Sequence, residues 1–271
     1  MAVKVKPDLS GVPETALWTL WFRAVEAKRP GRLLEDPVAV ELVERIDYPF
    51  VERFGAIFPS HAHIQALRVL TFDAQVRDFL SSHPKGTVVA LGEGLETQFW
   101  RVDNGSVTWL TVDLPSSVAL REALLPAGDR QRTFAGSALD PKWTELVDRA
   151  HGVLITAQGL LMYLQPEQVR SLVSMCAKAF PGGTLVFDAV PPWMAGFVGG
   201  RAATFTLPPL PWTLTASRLH ELKDFHPAID RVTDLRPPAG RGLLGWLAPR
   251  LRYIPVLRAK RPVIVALHFR P

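Results

Sequence analysis

An α/β fold, built on a mostly parallel sheet with helices on both faces, is what this sequence predicts. Three observations carry it. Short apolar runs alternate with helical stretches between residues 87 and 187, the pattern of βαβ crossovers. The run at 153–157 is apolar except for Thr156, as a strand buried on both faces should be. The run at 87–91 meets a Gly-x-Gly turn (Gly92, Gly94), and the next run ends in an acid, Asp113. Glycines let the backbone approach a nucleotide-like ligand, and an acid at that distance binds a ribose hydroxyl pair.

The elements follow in order. Residues 14–28 have helical spacing, with Leu17, Leu20, Trp21 and Ala24 on one face, and Arg-Pro-Gly at 29–31 ends the helix. Asp36-Pro37 opens a second helix that runs to about residue 45. A third amphipathic helix covers 67–80, with His61 and His63 in the loop before it. Strands are expected at 87–91, 107–112, 132–135, 152–157 and 184–187, with helices at 96–102, 116–124, 141–149 and 166–179 between them. After Val190 the texture changes. Residues 191–212 are rich in Pro, Gly and large apolar groups, too apolar for a flexible linker, and are expected to pack as a cap. A short helix at 217–225 and strands at 229–235 and 263–269 complete the reading. The expected units are a helical segment at 1–85, an α/β core at 86–189, a cap at 190–262 and a final core strand at 263–271.

Bulk numbers exclude several function classes. Apolar residues make up 48% of the 271 and charged residues 21%, an ordinary globular balance. A single cysteine, Cys176, rules out intramolecular disulfides and Cys-rich zinc sites and points to a reducing compartment. No signal peptide or membrane span is read in the sequence, so the cytoplasm is the expected location. The net charge of +5 is uneven. Residues 241–271 hold seven Lys/Arg and no acid, leaving 24 basic against 26 acidic residues elsewhere. They are not interleaved with exposed aromatics in a way that suggests base stacking, so they are read as solvated charges, and no nucleic-acid partner is expected.

A dinucleotide fingerprint would carry a third glycine where this chain has Thr97. A ribose acid without a pyrophosphate cradle suggests S-adenosylmethionine (SAM), which has one ribose and no phosphate. An NAD-dependent oxidoreductase is disfavoured on the same ground.

The stretch LGEGLETQFWR followed by VDLP resembles the LGAGLDTRFWR…VDLP pattern of the leucine carboxyl methyltransferase family, with its tetracenomycin-type polyketide O-methyltransferase branch. RAVEAKRPGRLLEDPVA (23–39), RVLTFDAQVRDFL (68–80), AQGLLMYL (157–164) and FPGGTLVFD (180–188) agree with it, in order. The resemblance implies a class I methyltransferase, Rossmann-like core that uses SAM. It assigns Arg68 to the SAM carboxylate, Gly92 and Gly94 to the SAM loop, and Asp113 to the ribose. It places Ser137 and Ala138 at the adenine, although Ser137-x-x-Asp140 could equally cap a helix. It puts Gln158 at the end of the fourth strand, Tyr163 near the methyl-transfer centre or in the core, and Arg23 against SAM or acceptor. Two positions depart from the family: Glu93 stands inside the glycine turn, and Gln158 replaces an acid. They keep a catalytically degenerate SAM-fold protein, binding a metabolite or partner, as the alternative.

A carboxylate acceptor needs no base, whereas a hydroxyl is helped by one, and His220 in the cap helix is the candidate, with His226 beside it. Trp193, Met194, Phe197, Phe205 and Trp212 suit a small aromatic or polyketide-like acceptor, or build the cap's own core.

Overall fold

Alternation of apolar side chains along each strand sets the layers. In β1 (Thr87–Leu91), Val89 and Leu91 join the core on one face while Val88 and Ala90 join the core on the other. The computed structural model describes residues 4–198, 201–202, 204–242, 245 and 261–271.

Four helices precede the first strand: α1 (Thr15–Ala27), α2 (Pro37–Arg45), α3 (Phe50–Phe54) and α4 (Pro59–Ser82). Asp36 caps α2 by accepting from the Ala39 N–H at 3.0 Å, with Pro37 in the first turn. After β1 come α5 (Gln98–Val102), β2 (Thr108–Asp113), α6 (Pro115–Leu124), β3 (Gln131–Ala135), β4 (Val153–Ala157), α7 (Pro166–Ala179) and β5 (Thr184–Ala189). Then follow α8 (Pro192–Val198), a small antiparallel pair β6 (Arg201–Ala202) and β7 (Phe205–Thr206), β8 (Ile229–Asp234) and β9 (Val263–Phe269).

The main sheet has the order β3-β2-β1-β4-β5-β9-β8. The first five are parallel, and β9 and β8 are antiparallel to their neighbours. The chain winds outward in one direction from β1 to β3 and in the other from β4 to β5. The switch point lies between β1 and β4, where open α/β sheets bind ligands at the carboxyl ends of their strands. One core packs α7 and the segment 212–222 on the sheet, and a second packs Phe72, Val76 and Leu80 of α4 with Phe99 of α5 on the opposite face. A third joins α1–α3 to Leu120 and Leu124 of α6 and to Leu95, so the N-terminal helices rest on the core rather than standing apart.

Several expectations are adjusted. The third helix begins at Pro59, not residue 67, because Pro59 supplies the first turn, and so His61 and His63 lie on α4 instead of in a loop. The polar sequence SHAHIQ lacked the apolar spacing that would have revealed it. α3 was not anticipated. The stretch 141–149 is a 3-10 turn over Pro141–Leu146, and 217–225 is likewise a 3-10 turn, Ala216–Phe225. β8 lies inside the segment expected to be cap, yet it pairs with β9 in the main sheet. Of the late basic residues, Arg241 pairs with Glu26, Arg261 with Asp234 and Arg270 with Asp230. Arg250, Arg252, Arg258 and Lys260 lie outside the described residues. Among the described residues no helix is long and apolar enough to cross a membrane.

Phe72 has no solvent exposure between α4 and the sheet. Truncation to alanine is expected to lower stability by about 3–5 kcal/mol, the usual loss for a buried aromatic. Urea denaturation followed by tryptophan fluorescence measures it.

Candidate active site

A cavity of about 770 Å³ opens along the carboxyl edge of the sheet. It is lined by residues after β1, β2, β3 and β4 and by apolar side chains that include Ile64, Trp193, Met194, Leu235 and Pro237.

The glycine turn forms its floor. Gly92 and Gly94 have φ of 60° and 53°, the left-handed region that side chains avoid. The Gly94 N–H donates to Asp113 Oδ2 at 2.6 Å, and the Leu114 N–H to Oδ1 at 2.7 Å. Asp113 is thus oriented by the turn and by its own helix start. Burial pushes its carboxyl above the usual range, against the pull of those two N–H groups.

Glu93 points neither outward nor to the cavity centre. Its side chain lies under the turn, accepting from Trp109 Nε1 (3.2 Å) and Thr111 Oγ1 (2.5 Å) on β2 and pairing with Arg121 of α6 at 3.1 Å. Burial raises its carboxyl's affinity for a proton, and Arg121 and Thr111 oppose this. Arg121 in turn donates to the carbonyls of Gly94 (2.7 Å) and Glu96 (2.9 Å). The large residue in a turn of small ones is therefore the anchor of the arginine that holds the turn.

Behind the turn lies a buried charge network. Arg101 meets Asp36 (2.9 Å), Asp73 (2.8 Å) and Glu96 (2.8 Å), and Arg23 meets Asp36 (3.2 Å) and Glu96 (3.0 Å). Arg23 also donates to the Leu95 carbonyl at 2.5 Å. Its side chain is 2% exposed and each nitrogen is engaged, so Arg23 braces the cavity wall; Arg68 is also engaged at its three nitrogens, by Asp188 and Gln65, but keeps 17% exposure. Thr97 occupies the third fingerprint position and donates to Asp36 at 2.6 Å, tying the turn to the N-terminal helices. Burial alone would raise the Glu96 carboxyl, but Arg23 and Arg101 outweigh it and hold it at about 2.

The remaining expected residues divide. Arg68 reaches the cavity from α4 and pairs with Asp188, Nε to Oδ2 at 2.9 Å, while Asp188 Oδ1 accepts from the Gly159 N–H at 2.6 Å. Gln158 donates to Glu96 at 3.4 Å, and its Oε1 is buried with no hydrogen-bond partner among the described residues. Tyr163 also lines the cavity; burial raises its phenol's pKa, so it keeps its proton at neutral pH. Ser137 and Ala138 line the opposite end, and the cap of the adjacent 3-10 turn is Asp140, which accepts from the Lys142 N–H at 3.0 Å. His220 is the exception. It is exposed, its ring Nδ1 sits 3.0 Å from the Ser217 carbonyl, and among the described residues no histidine lines the cavity. The 3-10 turn packs its apolar side on the sheet and turns His220 to solvent. Trp193 and Met194 line the cavity, Phe205 and Trp212 are buried in the cores, and the side chain of Phe197 lies outside the described residues. Reading the sequence missed Asp188, although it ends an apolar run as Asp113 does. It also missed Arg121, Asp36 and Arg101, whose partners are distant in the chain.

Fold and site together define a class I SAM-dependent methyltransferase. The chain belongs to the leucine carboxyl methyltransferase family, whose pattern matches residues 16–177, more than half its length. It is 34% identical over 195 residues to the tetracenomycin polyketide synthesis O-methyltransferase TcmP of Streptomyces glaucescens, covering 70% of each chain. It is 26% identical to the S-adenosyl-L-methionine-dependent methyltransferase dpfgK of Gibberella zeae, covering 90% of each. Among solved structures, the S-adenosylmethionine-dependent methyltransferase SibL shares the fold, with a TM-score of 0.51 at 18% identity over 95% of this chain and 76% of that one.

The donor set fits SAM. An acid stands at the end of β2, a cation at Arg68, and between them the Gln158 Oε1 acceptor, which has no partner among the described residues. A pyrophosphate does not fit, because Glu96 stays ionised beside the turn and Thr97 is committed to Asp36. A sulfonium cation meets no such opposition.

Because the Glu96 carboxyl is depressed on folding, its contribution to stability is complete above its unfolded value of 4.5 and is lost as pH falls toward about 2. Glu93 and Asp113 are shifted upward and give the opposite slope. Urea midpoints of the wild type and Glu96→Gln between pH 5 and 2.5 (roughly the span in which the group titrates) are expected to converge as pH falls. Glu93→Ala strands Arg121 without its carboxylate and is expected to cost about 3–5 kcal/mol, part of it recovered in the Glu93→Ala/Arg121→Met double variant. Thermal denaturation of the wild type and these two variants tests this.

Proposed function

We propose that this protein is an O-methyltransferase of a small aromatic or polyketide-like metabolite, acting on an acceptor oxygen that is already ionised in solution, a carboxylate above all. The observation that carries this reading is the continuity of one cavity from Asp113 and the glycine turn to the apolar compartment of Ile64, Trp193 and Met194. The relative named for tetracenomycin polyketide synthesis supports the acceptor class.

Bound SAM supplies an electrophilic methyl group on a sulfonium. In this reading Asp113 accepts from the ribose hydroxyls, Ser137 and Ala138 border the adenine, and Arg68 pairs with the carboxylate at the methionine end. Gln158 Oε1 accepts from the ammonium group, which relieves its unpaired state. The core, residues 86–189, holds the cofactor. Described residues of the segments 1–85 and 190–262 wall the acceptor compartment, and 263–271, with β8, completes the sheet beneath it.

The protein's task is alignment and exclusion of water. Tyr163 keeps its proton and orients by donating a hydrogen bond. Among the described residues lining the cavity, every carboxylate is engaged: Glu93 with Arg121, Glu96 with Arg23 and Arg101, Asp113 with two N–H groups and Asp188 with Arg68. With no histidine there either, a neutral alcohol would have no base to give its proton to. That favours an acceptor needing none. The catalytically degenerate alternative loses its main support, since Glu93 is accommodated beneath the turn rather than in the cofactor's place.

Titration calorimetry with SAM tests the cofactor site. Asp113→Ala is expected to weaken binding by about 1–3 kcal/mol, the scale of a lost hydrogen bond to a charged group. Absence of binding to the wild type at millimolar SAM, a very weak limit of about −4 kcal/mol, would overturn the reading. Turnover of labelled SAM with aromatic acids, and none with the matching alcohols, is the expected acceptor pattern.

A further inference from the structure

We propose that Arg261 selects and orients the acceptor by binding an oxyanion that it carries; this rests on the methyl-transfer reading above. The sheet register places it. Val263 pairs with Ala189 and Ile264 with Asp188, so the chain before β9 leaves the sheet at the edge where Asp188 stands. From β2, which carries Asp113, to β9 is four strand steps in the sheet order, about 19 Å at the usual inter-strand spacing. Arg261 therefore stands at the end of the cavity away from the ribose acid, one strand beyond Asp188.

Apart from Asp234, the neighbours the chain gives it there are apolar: Pro262, Val263 and Ile264 follow it, Leu235 pairs with Ile264, and all four line the cavity. Of the described residues after Val190 that line the cavity, Arg261 is the charged one. Its head is held in place. Nη2 pairs with Asp234 at the end of β8, and Nη1 donates to the Pro262 carbonyl at 3.2 Å. Nε is buried and has no hydrogen-bond partner among the described residues. A guanidinium keeps its charge at every relevant pH and offers its donors in a fixed fork.

A single placed cation in an apolar compartment does two things. It fixes the acceptor's pose, since apolar walls alone give area without direction. It also discriminates, because a neutral acceptor leaves the buried N–H unpaired while an anion satisfies it with a charge-assisted bond. Asp234 keeps the guanidinium from swinging out to solvent; it is a positioning residue in this scheme.

The test uses the full chain saturated with S-adenosylhomocysteine, whose own binding is measured first by calorimetry. Two probes of equal shape follow: 2-naphthoate and 2-naphthylmethanol. The wild type is expected to bind naphthoate at least about tenfold more tightly than the alcohol, the lower end for a hydrogen bond to a charged group. Arg261→Gln is expected to abolish that preference while leaving S-adenosylhomocysteine and alcohol binding within about twofold; Arg261→Lys should restore part of it. A wild type without preference, a preference that survives in Arg261→Gln, or binding of neither probe overturns the proposal. Where Arg261→Gln fails to fold, Asp234→Asn decides: removing the competing carboxylate should tighten naphthoate several-fold, and unchanged or weaker binding overturns the proposal. Failure of S-adenosylhomocysteine to bind the wild type would instead defeat the methyl-transfer reading.

Discussion

Two arginines and three carboxylates, buried together behind the glycine turn, are the constraint on which the cofactor edge depends. Arg23 on α1 and Arg101 on α5 share Asp36 and Glu96, and Arg101 also holds Asp73 of α4. The members come from four separate segments. Such a network gives little net stability over an apolar core, because each charge has been taken out of water. Its effect is geometric: ions that cannot be left unpaired fix α1, α4 and the turn in one arrangement. The N-terminal helices are thereby part of the cofactor site without contributing a free ligand group.

On the other side of the turn the Glu93–Arg121 pair has a matching effect. Arg121 gathers the carbonyls of Gly94 and Glu96, and the Gly94 N–H is left aimed at Asp113. The turn is held through its carbonyls from below, so that its amide can orient Asp113. Glycine supplies the conformation at 92 and 94, and charge supplies the rigidity.

The sheet and the first half of the site were legible in the sequence because they rest on local signals. Alternating apolar runs marked the strands, and α7 begins and ends where its periodicity and Pro166 place it. Asp113 was visible as an acid closing an apolar run, and Asp188 carried the same signal unread. The partners of Glu93 were not legible. Trp109 and Thr111 face it only because β2 lies beside β1, and Arg121 only because α6 crosses back over the turn. Gln158 and Tyr163 could be placed at the cavity from their position after β4, whereas His220 was misplaced by reading 217–225 without its three-residue period: Ala216, Leu219 and Leu222 face the core and leave His220 outside. The place of β8 was not legible either: its six residues carry only Ile229 and Val232 as apolar side chains, with a register shift between Ile229 and Arg231, and it is the pairing with β9 that puts it in the main sheet.

That pairing sets an order of assembly. β8 touches the sheet only through β9, which inserts between it and β5. The five parallel strands can close around the cofactor edge by βαβ crossovers, each joining segments near in the chain. The Leu235 and Pro262–Ile264 wall of the acceptor compartment requires a strand that follows all the others. Contacts of long sequence separation form late, since loop closure must precede them. Until β9 docks, β5 keeps an open edge and the compartment lacks one side. The two ends of the cavity thus differ in how they are closed: the Asp113 end lies among strands joined by short crossovers, and the Arg261 end depends on a strand paired across a long stretch of chain.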